Sequence, residues 1–160
     1  MNAMSLMEYL VMTNKHDEEE PHYLLDSNIV SELIKPKANF DVIKKIAEHT
    51  SDCAICAPVW QELLFGLYLM PEGLNKKYLE KFIVDDVHEN FKIKNFTEKA
   101  ADIQAMLRAR LERIGKSTQK DDSMIAAIAL ANHMVLVTRN AKHFEPIQEV
   151  SELQIENWFE

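Results

Sequence analysis

The chain has 160 residues, 47% of them apolar, and a formal net charge of -8 from 18 Lys+Arg against 26 Asp+Glu. That length favours one domain with its own core, and the apolar share excludes a disordered chain. The acidic balance argues against a broad basic face for nucleic acid, but not against an enzyme that reaches phosphates through bound cations.

Residues 1–21, MNAMSLMEYLVMTNKHDEEEP, read as an N-terminal extension. Leu6, Met7, Leu10 and Val11 share helical spacing and predict a short amphipathic helix. NKHDEEEP then reads as an acidic linker closed by a proline. An upstream start codon accounts for the extension, since Met4, Met7 and Met12 could each begin translation; a docking arm for a neighbouring subunit is the sharper alternative. The N-terminus lacks a basic stretch followed by an apolar run and a small-residue cleavage site, and no apolar run reaches the roughly 20 residues that span a bilayer. The expectation is therefore a cytoplasmic protein without membrane contact.

From residue 22 the pattern alternates. HYLLD is a short apolar strand, and Ile29, Val30, Leu33 and Ile34 follow at helical spacing until Pro36. Phe40, Val42, Ile43 and Ile46 predict a second helix. DCAICAP is the next strand, which makes Cys53 and Cys56 buried small side chains: positions three apart on a strand point to opposite faces, and no second cysteine pair exists to complete a zinc site. Pro58 opens the helix VWQELLFGLYL. Residues 74–88 read as one long helix and FKIKNF as a short strand. Thr97 caps a helix whose Ala100, Ile103, Leu107 and Ile114 share a face, closed by Gly115. The Arg108, Arg110, Arg113 and Lys116 run on it reads as a solvated face. STQKDD is a polar loop, DSMIAAIALANH a small-residue helix, MVLVT a strand, RNAKHF a turn or short helix, and LQIENW an edge strand. Strands separated by helices imply right-handed crossovers and a mostly parallel sheet, with ligands gathering at the carboxyl ends of the strands.

Acidic residues from distant parts of the chain fall at those ends: Asp26 after the first strand, Glu62 near the start of the helix after the second, and Asp122, with Asp121 beside it, opening the small-residue helix. Taken singly, each is explained as a helix cap or a dipole partner. Taken together, clustered carboxylates repel and need a cation or a proton, and Mg2+ or Mn2+ suits a site of oxygen ligands. The chain has no Walker loop, GxGxxG, GxSxG or HExxH. A hard-oxygen site then points to phosphodiester hydrolysis.

YLLDSNIVSELIKP, APVWQELLFGL and DDSMIAAIALANHMVLVTRNAKHF, in this order and spacing, resemble PIN-domain ribonucleases, specifically VapC-type toxins of bacterial toxin–antitoxin pairs near the FitB-like branch. The resemblance runs from about residue 22 to the C-terminus. It implies a three-layer α/β/α sandwich with a mostly parallel central sheet, Mg2+- or Mn2+-dependent RNA cleavage, a homodimer, and inhibition by a cognate VapB-type antitoxin. By position it makes Asp26, Glu62 and Asp122 the metal carboxylates, and Asn28 and Thr138 polar residues lining the site. Many relatives carry a fourth acid where this chain has Asn140, so a second tightly held metal is not implied; Asn140 instead orients waters or carboxylates. Arg139 is the best-placed contact for the RNA backbone. Of Trp60, Phe65 and Leu69, which an antitoxin groove could use, core is the simpler expectation. Two other classes fit parts of the pattern. One is an aspartyl phosphoacceptor of the receiver or haloacid-dehalogenase type, although DSN lacks the second aspartate of DxD and VTRN offers Arg139 in place of lysine. The other is a non-catalytic interaction protein with a vestigial acidic cluster.

Overall fold

The computed structural model describes residues 20–160. The amphipathic helix expected over residues 6–11, and most of the acidic linker, lie outside them. Glu20 pairs with Lys94 at 2.8 Å and Pro21 is buried, so contacts with the domain are already present ahead of the boundary expected at residue 22.

Five short strands form one sheet: β1 Tyr23–Leu25, β2 Cys53–Cys56, β3 Lys92–Lys94, β4 Val135–Val137 and β5 Ile155–Glu156. Their order is β3-β2-β1-β4-β5, and every neighbouring pair is parallel. Leu24 stands opposite Ala54 on one side and Leu136 on the other. Central parallel strands are covered on both faces, so they read as unbroken apolar runs, and every residue of β2 and β4 is buried.

Between β1 and β2 run α1 Ser27–Val30, which tightens into a 3-10 turn at Ser31–Ile34, and α2 Phe40–His49. Between β2 and β3 run α3 Ala57–Leu69, α4 Leu74–Lys81, a π-helical turn at Phe82–Val87 and α5 His88–Asn90. The helix expected over residues 74–88 is present and runs on to Asn90, with the π-helical turn inside it. Phe82 and Val87 are both buried although five residues apart, a spacing that a π turn accommodates better than an α turn. Then come α6 Glu98–Arg113 and α7 Lys120–Ala131 before β4, and α8 Ala141–Val150 before β5. Right-handed crossovers place α1–α5 on one face of the sheet and α6–α8 on the other, giving three layers. Among the described residues no helix is long and apolar enough to cross a membrane.

The second face is organised by α7. Ile125, Ala126, Ala127, Ile128 and Ala129 are all buried, and the alanines let the helix lie close to its neighbours. Thr97 caps α6 as expected, its hydroxyl accepting from the Ala100 N–H at 3.2 Å. The buried stripe of α6 is Ala100, Gln104, Leu107 and Leu111. Ile114, expected on that stripe, lies just past the helix end and is 49% exposed, where Gly115 turns the chain at φ 69. Gln104 holds a place in the stripe because its amide donates to Ser123 Oγ at 2.9 Å and to the Lys120 carbonyl at 3.2 Å, fastening α6 to the first turn of α7. Two members of the basic run reach α8: Arg110 donates to the Val150 carbonyl, and Lys116, past the end of α6, pairs with Glu149. At the C-terminus, Trp158 is buried against Tyr23 and His49 and donates to Glu156 Oε2 at 2.7 Å.

Cys53 and Cys56 are free and buried. Burial pushes the Cys56 thiol up to about 12, and burial with the nearby Asp52 charge pushes Cys53 up as well. Thiolate is the reactive species, so the folded protein should take up no iodoacetamide at pH 8 on a timescale that labels both cysteines in urea. Mass spectrometry reads the outcome, and rapid labelling of either cysteine before unfolding would show that a thiol is reachable.

Candidate functional site

The chain leaves β1 toward β2 on one side of the sheet and leaves β4 toward β5 on the other. A crevice therefore opens where the carboxyl ends of β1 and β4 part, the place where open α/β sheets bind ligands. Asp26 follows β1 directly and Thr138 follows β4 directly. The Asp26 N–H continues the ladder by donating to the Val137 carbonyl at 2.9 Å.

Asp26 is a cap and something more. Its Oδ1 accepts from the Ser27 N–H at 2.8 Å as α1 begins. Its Oδ2 accepts from the Thr138 hydroxyl at 2.8 Å and, more weakly, from Asn28 Nδ2 at 3.4 Å. Thr138 is fully buried, and its oxygen also accepts from Asn28 Nδ2 at 3.3 Å and from the Asn140 N–H at 3.1 Å. Asn28 completes the web by accepting the Arg139 N–H at 3.1 Å.

Glu62 lies in the second turn of α3, beyond the reach of an end-of-helix dipole effect. Its exposed carboxylate accepts from the Ser27 hydroxyl at 2.9 Å, a contact not foreseen from sequence. Asp121 and Asp122 sit in the first turn of α7 rather than capping it; the cap is Gln119, which makes no side-chain bond. Asp26, Asn28, Glu62, Asp122 and Asn140 line one cavity of about 720 Å³. Thr138 lies beneath it. Arg139 is not part of its lining: the guanidinium stands 4.6 Å over the Phe159 ring. The cavity also takes in Ser27, Lys35, Phe65, Asp121 and His143, none of which the sequence reading assigned as a site residue.

The cavity is electrostatically one-sided. Burial pushes the Asp122 carboxyl above its ordinary value; the charge of His143 pulls it partly back, and Asp26, Asp121 and Glu62 push it up further. The His143 ring nitrogen Nδ1 is 4.0 Å from Asp122 Oδ2. Among the described residues, no three acidic, histidine or cysteine side chains are already drawn together as a direct cage for an ion. The oxygens surround a space instead of meeting at a point, an arrangement suited to a hydrated hard cation held by a few carboxylates.

A family model described as PIN domain matches residues 23–149. The chain belongs to the PIN domain family. It is 30% identical to "Ribonuclease VapC2" of Rickettsia felis over 138 residues, covering 85% of this chain and 97% of that protein. It is 29% identical to "Toxin FitB" of Neisseria gonorrhoeae over 124 residues, covering 76% of this chain and 89% of that one. Among solved structures it matches the FitAB complex bound to an IR36 DNA fragment, with a TM-score of 0.78 and 26% identity over 86% of this chain and 96% of that one. Asp26, Glu62 and Asp122, the carboxylates expected at the site, share the crevice with a fourth, Asp121.

The hydroxyl of Thr138 has a checkable worth. Thr138→Val leaves Asp26 Oδ2 with only its long Asn28 contact and the Asn140 N–H without an acceptor. The expected cost is about 1 to 3 kcal/mol in urea unfolding at pH 7, with Thr138→Ser losing clearly less. Little loss in Thr138→Val with a larger loss in Thr138→Ser would place the effect in the methyl group and not in the hydrogen bonds.

Proposed function

We propose that this PIN domain is a VapC-type endoribonuclease, dependent on Mg2+ or Mn2+ and acting as the toxin of a toxin–antitoxin pair. The observation that carries the reading is the crevice at the switch point. Carboxylates from three distant segments face one cavity there, and Asp122 titrates upward, first because it is partly buried and then because Asp26, Asp121 and Glu62 stand near it. The ribonuclease and toxin names of the relatives support it.

Asp26, Glu62 and Asp122 are the residues that would hold the ion, partly through water. Such an ion, when bound, acidifies a water molecule and draws charge from the phosphate. The chain's own part is to aim the carboxylates. Thr138 and Asn28 fix Asp26, Ser27 fixes Glu62, and the first turn of α7 carries Asp122 to the crevice. Asn140 supplies a neutral amide at the rim, where it can orient water without adding to the repulsion. Arg139 steadies Asn28 through its main chain, and its guanidinium over Phe159 would meet the RNA backbone only beyond the cavity.

The partner reading rests on apolar surface. Phe65 and Leu69, expected in the core, are 56% and 69% exposed, and Tyr68, Leu74 and Tyr78 are exposed near them on α3 and α4. Trp60 alone of the expected trio packs partly on the core. An exposed aromatic and aliphatic surface of this kind suits a VapB-type antitoxin or the second copy of a homodimer. The cytoplasm remains the compartment expected for such a pair. An aspartyl phosphoacceptor is less well supported, because both oxygens of Asp26 already hold hydrogen bonds to Ser27, Thr138 and Asn28.

RNA cleavage should require Mg2+ or Mn2+ and stop with EDTA. Asp26→Asn, Glu62→Gln and Asp122→Asn should each lower the rate by at least about 100-fold while circular dichroism stays unchanged. Calorimetric titration with Mn2+ should give binding heat that Asp26→Asn abolishes. Protons compete with the cation for Asp122, whose carboxyl titrates above its ordinary value, so cation affinity should weaken as pH falls from neutral toward the carboxylate range. Cleavage that persists in EDTA, or full activity in Asp26→Asn, would overturn the assignment.

A further inference from the structure

The cavity that faces an RNA strand in the reading above is lined by Asp26, Glu62, Asp121 and Asp122, and by a single full cation, Lys35. No other lysine or arginine lines it among the described residues. A polyanion approaching this surface needs positive charge beyond what one hydrated metal ion supplies, because three or four carboxylates stand around that ion.

Lys35 is held in an unusual way for a surface lysine. It follows the 3-10 turn after α1, and its Nζ lies 2.6 Å from Glu32 Oε1. The Glu32 side chain is only 4% exposed, against 49% for Lys35. The other oxygen of Glu32 accepts from the Asn39 N–H at 2.8 Å, where α2 begins. A carboxylate buried this deeply must be paired, so Glu32 is fixed by the domain and Lys35 is fixed by Glu32. Burial alone would push the Glu32 carboxyl up; the hydrogen bonds from Lys35 and Asn39 and the charges of Lys35 and Arg139 outweigh it, and the net displacement is downward. Glu32 is therefore a carboxylate at neutral pH. An ammonium has three donors, and Glu32 occupies one of them. The remainder sit on a half-exposed side chain at the edge of the cavity, with part of the ordering cost already met by the fold.

We propose that Lys35, held in place by Glu32, binds a backbone phosphate of the RNA strand lying in the cavity. Lys35 is then a substrate-binding residue and Glu32 a positioning residue acting through it. The proposal rests on the ribonuclease reading, and its test separates the two.

The probe is an end-labelled, mixed-sequence single-stranded RNA, with Ca2+ replacing Mg2+ so that binding is read without turnover. Affinity is measured by anisotropy across a range of NaCl concentrations, and cleavage of the same RNA is measured in Mg2+. Lys35→Ala should weaken binding about 3- to 10-fold at low salt and flatten the slope of log affinity against log salt by about 0.7, the share of one phosphate contact on a single strand. Lys35→Arg should restore most of both. Glu32→Gln should weaken binding in the same direction, and it should add nothing in the Lys35→Ala background, because its effect passes through Lys35. Lys35→Gln removes the charge while its amide can still donate to Glu32, so it reports on binding even where Lys35→Ala or Glu32→Gln unfolds. If the wild-type protein binds and cleaves the RNA while Lys35→Ala shows the same affinity and the same salt slope, the proposal is wrong and the ribonuclease reading stands. If the wild-type protein neither binds nor cleaves it under either cation, both fall together.

Discussion

The bond from the Thr138 hydroxyl to the Asp26 carboxylate joins the ends of β1 and β4, the two strands whose crossovers run in opposite directions. That is where a parallel sheet lacks a loop to close it, and where main-chain groups would otherwise open to water. The Asp26 N–H extends the ladder one residue past β1, and the Asn140 N–H returns to Thr138. A crevice lined with polar groups can persist there because its floor is satisfied internally. Asn28 and Ser27 hang from the same web, so the position of Glu62 also traces back to it through the Ser27 hydroxyl. The candidate site is in this sense an outgrowth of how the sheet ends.

The same crevice carries a net repulsion that the fold does not remove. Asp122 is half-buried beside three other carboxylates, and both burial and their charges raise its affinity for a proton. Hydrophobic packing elsewhere sustains this local cost: α7 buries five consecutive residues directly behind the two aspartates of its first turn, and Gln104 anchors that turn to α6. Repulsion of this electrostatic kind is relieved by a cation or a proton.

Much of this is legible in the sequence because a buried parallel strand has little choice of composition. CAIC and VLV read as strands for the reason they are strands: no face is left for water. Asp26 and Asp122 are found by their place at a strand end and at the start of a small-residue helix. What remains hidden depends on burial or on a partner. Glu32 and Lys35 look like an ordinary surface pair three residues apart, and nothing in SELIK shows that the glutamate is inside. Gln104 looks like a polar interruption of an apolar stripe until Ser123 is seen opposite it. Phe65 and Leu69 have core composition and surface positions, because composition reports only that a residue avoids water, not which surface will shield it.

Asp26 shows why a helix cap and a metal carboxylate need not be rival explanations. A cap must hold a carboxylate oxygen against the first amides of a helix, and α1 begins directly at the end of a central strand. That requirement brings the charge to the switch point and orients it, with one oxygen spent on Ser27 and the other on Thr138. Each oxygen keeps further acceptor capacity, and Asp26 lines the cavity. Asparagine or serine would cap α1 as well but would bring no charge there. The capping geometry thus explains where Asp26 points, and the company of Glu62 and Asp122 explains why a charge is placed at the end of it.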